Sequence, residues 1–202
     1  MEVDIVGEDQ VTQAVIERLL NDYRPDLIIG RRLPVRGGKI KSEAPKYNLL
    51  VMPLILLTDL DTYPCPPSLI SDWFNGAKLN DRFLFRVADD EAEAWLMADK
   101  SGFAKWAGIK ETNLPDPRII DRRKNIVEMV FPYKSSLFLM KTIEQFSTKE
   151  TIRDFLTPLP GASKGPGYNS TVIPFIKEKW NVENARLNSY SLNKMVLRLI
   201  NY

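Results

Sequence analysis

Short apolar runs alternate along the chain with stretches of helical periodicity, which is the pattern of an α/β protein. The clearest run is Leu54–Asp61 (L-I-L-L-T-D-L-D), in which four aliphatic residues follow one another without a polar interruption. Such a run is typical of a strand buried on both faces of a parallel sheet. Three further runs predict neighbouring strands: Glu2–Val6, Leu27–Gly30 and Phe83–Val87. We therefore expect a mostly parallel sheet flanked by helices.

Acidic residues follow two of these predicted strands. Asp59 and Asp61 end the run that begins at Leu54, and Glu8 follows the first strand. Side chains two positions apart on an extended strand point the same way, and open α/β sheets bind ligands at the carboxyl ends of their strands. Two neighbouring carboxylates repel each other unless a cation lies between them. We therefore predict a divalent metal site that contains Glu8, Asp59 and Asp61.

A simpler interpretation assigns the same acids to local structure. Glu8 and Asp9 would cap the following helix and offset its dipole, while Asp59 and Asp61 would open a turn. For the Asp pair alone, the two interpretations are equally good. The presence of three acids at two strand ends favours the metal site.

A third acidic cluster, D-D-E-A-E over residues 89–93, follows the strand that begins at Phe83. Compensation of a helix dipole in a first turn accounts for most of these acids. Glu93 comes late for that role and lies just before Trp95 and Leu96, which we expect in the core, so Glu93 joins the predicted metal ligands. Glu91 is two positions away on the predicted helix and is expected to face elsewhere.

Composition narrows the chemistry. The 202 residues include no histidine and one cysteine, Cys65. This excludes Ser-His-Asp and Cys-His catalysis, histidine-bound zinc or iron, and thiolate clusters. Any metal is then a hard, oxygen-bound ion, Mg²⁺ or Mn²⁺. No internal disulfide can form and no apolar run approaches the roughly 20 residues of a membrane helix, so we expect a cytoplasmic protein without a membrane partner.

Charge is divided unevenly along the chain. Residues 1–100 hold 12 basic and 17 acidic side chains, whereas residues 101–202 hold 16 basic and 9 acidic ones. An acidic half with metal ligands and a basic half suit a polyanionic substrate, although charges scattered over solvated faces would give the same counts. A polar, glycine-containing loop over residues 31–48 and a helix beyond Pro117 carry most of the candidate phosphate contacts. The predicted nucleic-acid-binding residues are Arg36, Lys39, Arg122, Arg123, Lys124 and Lys164.

The order of strand, glutamate, helix and a later strand ending in D-x-D resembles the TOPRIM domain of topoisomerases, primases and overcoming-lysogenization-defect nucleases. More narrowly, the chain resembles small bacterial TOPRIM-like proteins of unassigned function that are often encoded in mobile or defence loci. The segments that carry this resemblance are spread over nearly the whole chain: Gly37-Gly38-Lys39, Tyr47-Asn48, Thr58 to Asp61, Cys65-Pro66-Pro67, Glu91 to Asp99, Leu114 to Pro117 and Gly165 to Tyr168.

The resemblance implies roles for individual residues. Glu8 matches the TOPRIM glutamate, which acts as a general acid/base or metal ligand. Asp59 and Asp61 match the magnesium-binding pair, and Glu91 and Glu93 match a further acidic motif. A fold hosts many functions, so the resemblance alone does not establish an activity.

Two features depart from the family pattern. Thr58 stands where many relatives have arginine, and the region of residues 119–147 is longer than the family leads us to expect. We expect a TOPRIM-like metal-binding core in residues 1–108 and a basic helical extension in residues 109–202.

The expected function is that of a magnesium-dependent phosphodiesterase, an endonuclease acting on nucleic acid in antiphage defence. One rival is a non-catalytic or complex-activated partner of an ATPase. A second rival is strand joining or nucleotidyl transfer at the same metal site, with Tyr63 as the nearest candidate nucleophile.

Overall fold

The computed structural model describes residues 1–34 and 37–202. These residues form two compact units, Met1–Ala92 together with Lys194–Tyr202, and Glu93–Asn193. The predicted core of residues 1–108 thus covers most of the first unit and the beginning of the second. Arg36, one of the predicted nucleic-acid-binding residues, lies outside the described residues.

The first unit is built on a four-stranded sheet in which every neighbouring pair of strands is parallel. Its elements in chain order are β1 (Glu2–Gly7), α1 (Gln10–Tyr23), β2 (Ile28–Arg32), α2 (Ile40–Tyr47), β3 (Leu54–Asp59), α3 (Pro66–Phe74) and β4 (Phe83–Ala88). The strand order across the sheet is β2-β1-β3-β4. The α/β class and the parallel sheet flanked by helices are confirmed.

The core of this unit explains why the apolar run at β3 is continuous. All four residues from Leu54 to Leu57 are fully buried, because helices cover both faces of a parallel sheet. On one face, α2 and α3 pack on β3 and β4 through a cluster rich in aromatic rings. Phe74 meets Phe85 edge to face, with ring centroids 5.0 Å apart. Burial of each such side chain contributes about 1.5–3 kcal/mol.

The end of the chain belongs to the first unit. The hydroxyl of Tyr202 accepts a hydrogen bond from the N–H of Leu54 at 3.1 Å and donates to the carbonyl of Arg82 at 2.5 Å. Burial raises the pKa of this phenol. The C-terminal residue therefore holds together the starts of β3 and β4.

The second unit is mainly helical. Its elements are α4 (Ala92–Ala98), α5 (Lys100–Ala107), β5 (Arg118–Asp121), β6 (Ile126–Glu128), α6 (Ser135–Phe146), α7 (Glu150–Leu156), α8 (Tyr168–Glu178), α9 (Val182–Asn188) and α10 (Tyr190–Ile200), whose last residues join the first unit. Asp99 caps α5 by accepting the N–H of Gly102, and Gly108 ends that helix with φ 70°. Within the unit, Trp106 stacks on Phe175 with ring centroids 4.5 Å apart.

The helix predicted beyond Pro117 is wrong. Residues 118–128 form an antiparallel hairpin of β5 and β6. Two features explain it: two of the four residues of β5 and two of the three residues of β6 are β-branched, and the Asp121 carboxylate accepts the N–H groups of Arg123 and Lys124 in a turn. Asn125 completes the turn with φ 49°. The region predicted as a helical extension therefore also contains this small sheet.

The polar loop predicted over residues 31–48 is also wrong in its second half. A short 3₁₀ turn, Gly37–Lys39, leads directly into α2, and Ile40 and Ala44 of that helix are buried against the sheet. Tertiary packing of two apolar residues outweighs the polar composition of this segment. In the described part of the chain, no helix combines the length and apolar character needed to cross a lipid bilayer.

Candidate active site at the carboxyl ends of β1 and β3

β1 and β3 lie side by side, and the chain leaves them in opposite directions across the sheet. From β1 it passes through α1 to β2 on one side, and from β3 it passes through α3 to β4 on the other. The register pairs Gly7, the last residue of β1, with Leu57, so β3 continues for two residues beyond the end of β1. Such a topological switch point opens the crevice in which α/β proteins bind their ligands.

Glu8 directly follows β1, and its carboxylate reaches across to β3. Its Oε2 atom accepts hydrogen bonds from the hydroxyl of Thr58 at 2.7 Å and from the N–H of Asp59 at 3.1 Å. Thr58 is fully buried, so water does not compete for its hydroxyl. The backbone N–H of Glu8 donates to the carbonyl of Leu57 at 3.2 Å. Both the side chain and the backbone thus fix Glu8 to the end of β3.

The capping role that the simpler interpretation gives to Glu8 belongs to Asp9. The Asp9 carboxylate accepts the N–H of Thr12 at 2.9 Å, and the Thr12 hydroxyl accepts the N–H of Asp9 at 2.9 Å, which is a capping box. The turn also requires glycine at position 7, because a β-carbon on Gly7 would lie 2.4 Å from the backbone nitrogen of Gln13. Glu8 is therefore left to contact β3.

Asp59, the last residue of β3, is half-buried and binds the start of α4. Its Oδ1 atom accepts the N–H of Ala92 at 3.0 Å. The next residue, Leu60, donates its N–H to the carbonyls of Ala88 and Asp90, each at 3.0 Å. These bonds join the loop after β3 to the loop after β4. A hydrogen bond to one carboxylate oxygen is compatible with metal ligation, because each carboxylate has about four acceptor sites.

The sequence predicts that Asp59 and Asp61 lie on one strand and point the same way, but Asp61 lies beyond the strand. β3 ends at Asp59, and Asp61 is exposed in the following turn with φ 51°. Asp90, in the loop after β4, has φ 68°. Left-handed backbone costs an L-residue about 1–2 kcal/mol, although aspartate tolerates it better than most. Strain of this kind often accumulates around functional sites.

Asp89 is a further acidic residue at this end of the sheet, where it directly follows β4. Burial raises its pKa above the ordinary value of 3.8, and a hydrogen bond from the backbone of Asp90 opposes the shift. A carboxyl group that keeps its proton to higher pH is a candidate general acid. The sequence shows Asp89 only as one of several clustered acids, because its burial arises from tertiary packing.

Glu93 is the first residue of the second unit. Its Oε1 atom accepts the hydroxyl hydrogen of Tyr168 at 2.7 Å and lies 3.8 Å from the Nζ atom of Lys164. The same ammonium lies over the Tyr168 ring, 4.6 Å from its centroid. The predicted grouping of Glu93 with Glu8 and the Asp pair stays a prediction, as does the role of Lys164 in nucleic-acid binding.

The helical argument for separating Glu91 from Glu93 does not apply. α4 begins at Ala92, so Glu91 precedes the helix. Both glutamates are buried, at 7% and 3% exposure respectively. Exposure therefore does not distinguish the two residues.

The remaining predicted phosphate contacts lie on the surface. Arg122, Arg123 and Lys124 are all exposed in the turn between β5 and β6. Lys39 is exposed at the end of the 3₁₀ turn that precedes α2. These positions allow contact with a polyanion, and binding itself stays a prediction.

Tyr63, the candidate nucleophile of the second rival hypothesis, is held by three side chains. Its hydroxyl donates to the carboxylate of Asp72, and it accepts from Lys41 Nζ at 3.2 Å and Trp73 Nε1 at 3.3 Å. Hydrogen bonds from Lys41 and then Tyr63 hold the pKa of Asp72 below its ordinary value. Such a carboxylate is a weak base, so the contact positions the phenol and does little to deprotonate it.

The donor atoms at the switch point are carboxylate oxygens, which Mg²⁺ prefers. Among residues 1–34 and 37–202, no three acidic, cysteine or histidine side chains form an arrangement that would hold a metal ion. Magnesium in enzymes is often bound by one or two carboxylates together with waters and substrate phosphates. The pair of Glu8 and Asp59 fits a magnesium site of one or two carboxylates completed by waters and phosphates. The metal site itself stays a prediction.

No protein-family model, curated protein or solved structure matches this chain. The resemblance to TOPRIM-like proteins therefore rests on the sequence segments given above.

Proposed function

We propose that this protein is a magnesium- or manganese-dependent phosphodiesterase that cleaves nucleic acid, with a TOPRIM-like catalytic unit. The observation that carries the proposal is the contact of the Glu8 carboxylate with Thr58 and Asp59 at the switch point of the sheet. An acid following one strand is thus bonded to the end of the neighbouring strand, where another acid stands. The order of the elements and the D-x-D sequence agree with the TOPRIM pattern.

The donor set suits a hard divalent cation. Glu8 and Asp59 supply carboxylate oxygens, and waters and substrate phosphates would complete the coordination of the ion. When bound, the ion would neutralise a scissile phosphate and lower the pKa of an attacking water. Thr58 holds Glu8 in one orientation, which keeps that carboxylate ready without a rearrangement of the backbone.

Asp89 is assigned a proton-transfer role in the proposal. Its raised pKa lets it carry a proton at higher pH than an exposed aspartate, as protonation of a leaving oxygen requires. Because Asp89 directly follows β4, the neighbour of β3, it belongs to the same end of the sheet as Asp59.

Nucleic acid is the proposed substrate because of the charge on the second half of the chain and the exposed basic turn of the hairpin. Arg122, Arg123 and Lys124 would contact backbone phosphates and position the strand. Such contacts release counterions, so the logarithm of affinity falls with the logarithm of salt concentration by about 0.9 per phosphate contact on duplex DNA.

A cleavage assay tests the proposal. Purified protein is incubated with supercoiled DNA, single-stranded DNA and tRNA, in Mg²⁺, in Mn²⁺ and with chelator. We expect metal-dependent cleavage of at least one substrate, its loss in Glu8→Gln and Asp59→Asn, and its retention in the control Asp81→Asn, which changes an exposed acid outside the site. Cleavage that survives in both site variants contradicts the proposal.

Binding measurements on the same substrates separate cleavage from substrate recognition. Alanine at Arg122, Arg123 and Lys124 should weaken binding at low salt and flatten its salt dependence. Alanine at three basic residues elsewhere, Lys78, Lys110 and Lys141, should weaken binding less. Protein that neither binds nor cleaves any of the substrates, with or without metal, removes the nuclease assignment and leaves the role of ATPase partner.

A further inference from the structure

The second unit contains a cavity of about 510 Å³ to which no sequence pattern pointed. It is bounded by one face of α5, the segment before α7, the end of α8 and the start of α9. Small-molecule sites in proteins have volumes of about 300–1,000 Å³. The cavity is therefore large enough for a metabolite and much larger than a single ion requires.

Three lysines line this cavity: Lys105, Lys149 and Lys179. The ammonium of Lys149 donates to the carbonyls of Lys105 at 2.7 Å and Trp106 at 2.8 Å, in the last turn of α5. These partners carry no formal charge, and an ammonium has three donors, so Lys149 is held in place with one N–H direction to spare. Within the described part of the chain, neither Lys105 nor Lys179 has an ion-pair partner.

Asp99 is the acidic residue of the lining, and its carboxylate offsets one of the three positive charges. Asp99 is fully buried, and its carboxylate accepts the backbone N–H groups of Asn181 at 3.0 Å and Gly102 at 3.3 Å. The side-chain amide of Asn184 donates to it at 3.4 Å. Asp99 is thus hydrogen-bonded by neutral donors that join the starts of α5 and α9, and three lysines with one aspartate give the lining a formal charge of +2.

The rest of the lining is rigid or polar. Trp106 forms one wall, and its ring packs against those of Phe175, at 4.5 Å centroid to centroid, and Phe103, at 5.3 Å. Ser101 and Asn184 add a hydroxyl and an amide, which bind phosphate oxygens as neutral donors. A pocket with a fixed aromatic wall, a few convergent polar groups and several cations is typical of a site for a charged small ligand.

We propose that this cavity binds a phosphorylated small molecule with at least two negative charges. Three lysine side chains that line one pocket match a compact polyanion, because a contact between an ammonium and a phosphate is a charge-assisted hydrogen bond. A nucleic-acid backbone offers the same phosphate oxygens, but proteins bind it through an extended basic groove and not through a compact group of lysines. The proposal does not depend on the nuclease assignment, since it concerns binding in the absence of substrate.

The test is a titration of the whole ¹⁵N-labelled protein with pyrophosphate, and with orthophosphate for comparison, at constant ionic strength. The signals followed are the indole N–H of Trp106 and the backbone N–H groups of Gly102 and Asn184. We expect saturable shifts at these positions and affinity for pyrophosphate at least about tenfold higher than for orthophosphate, because more of the ammonium groups are engaged.

Variants locate the binding. The double variant Lys105→Gln/Lys179→Gln should weaken pyrophosphate binding about tenfold or more, whereas the charge-matched control Lys78→Gln/Lys110→Gln should change it less than about twofold. Lys149 is left intact because it also binds the end of α5, so its loss would disturb the helix. The amide spectrum of each variant shows whether the fold is retained.

Three results would overturn the proposal. The first is the absence of saturable shifts at these signals up to about 10 mM pyrophosphate, which is weaker than a specific small-ligand site. The second is an equal loss of affinity in the control variant, which would indicate general charge attraction. The third is a shift of the same signals by a single-stranded oligonucleotide and not by pyrophosphate, which would assign the cavity to nucleic acid.

Discussion

The hydroxyl of Thr58 donates a hydrogen bond of 2.7 Å to the carboxylate of Glu8, and it thereby joins two residues 50 positions apart in the chain. Thr58 lies in the buried strand β3, and Glu8 lies in the turn after β1. In the family that the chain resembles, many members have arginine at the position of Thr58. A neutral hydroxyl here orients the glutamate without cancelling its charge.

Replacement of Thr58 by valine should lower the free energy of unfolding by about 1–2 kcal/mol, because the carboxylate loses a buried donor at nearly constant side-chain volume. Chemical denaturation of Thr58→Val, Glu8→Ala and the double variant measures the coupling. We expect a coupling energy of about 1 kcal/mol, and a value below about 0.3 kcal/mol would mean that the bond contributes nothing. Thr58→Ser keeps the hydroxyl and serves as the matched control.

Variants of Asp59 can separate its hydrogen bond to Ala92 from its proposed role as a metal ligand. Asn at this position retains an oxygen that can accept the N–H of Ala92, so Asp59→Asn should stay within about 0.5 kcal/mol of the parent protein in unfolding free energy. Asp59→Ala loses this cap and should be about 1 kcal/mol less stable. Calorimetric titration with Mg²⁺ should show weakened binding in both variants. Unchanged metal affinity in Asp59→Asn would remove Asp59 from the ligand set.

Asp61 allows a test in which stability and activity move in opposite directions. Glycine adopts the left-handed backbone of this position without strain, so Asp61→Gly should be unchanged or up to about 1 kcal/mol more stable. Valine should be destabilising, because a β-branched side chain is poorly tolerated there. If the Asp61 carboxylate is a metal ligand, the glycine variant should lose metal-dependent cleavage. A stable and fully active glycine variant would exclude that role.

Asp89 should make stability depend on pH. Because burial raises its folded-state pKa above 3.8, the folded protein holds this proton more tightly than the unfolded chain does. The free energy of unfolding therefore falls as the pH rises from about 3.8 through the folded-state pKa of Asp89, and it stays lower at neutral pH. Asp89→Asn should be more stable than the parent at pH 7, and the difference should vanish as pH falls below about 3.8.

Urea denaturation of Asp89→Asn at several pH values measures this effect, with metal absent throughout. Asp81→Asn, which changes an exposed aspartate before β4, is the control and should give a difference that varies little with pH. A constant difference between Asp89→Asn and the parent from pH 3 to pH 7 would contradict the assignment.

Tyr63 distinguishes hydrolysis from transfer through a tyrosyl intermediate. Tyr63→Phe removes the hydroxyl that Asp72 and Lys41 hold, and it should lower the melting temperature slightly while leaving cleavage intact. Asp72→Asn is the companion variant, because it disturbs the same contacts without touching the phenol. Complete loss of cleavage in Tyr63→Phe, with activity retained in Asp72→Asn, would favour strand joining or nucleotidyl transfer.

The sequence by itself determined the α/β class and the buried part of the central strand, although β3 ends at Asp59, two residues before the end of the predicted run. Four uninterrupted aliphatic residues are stable in water only when both faces of the strand are covered, which requires helices on either side of a parallel sheet. The acids that follow such strands must lie at the edge of the sheet, as Glu8 and Asp59 do. Helix ends such as the cap at Asp99 and the left-handed Gly108 are local features, because they depend on neighbours within a single turn of helix.

Tertiary structure decided the features that join distant parts of the chain. The contact of Thr58 with Glu8, the raised pKa of Asp89 and the lysines around the cavity in the second unit depend on which elements pack together. Local sequence also misled over residues 118–128, where Pro117 suggested the start of a helix but pairing of two strands is more favourable. Local patterns report interactions within a few residues, whereas burial, electrostatics and long-range hydrogen bonds arise only when the chain has folded.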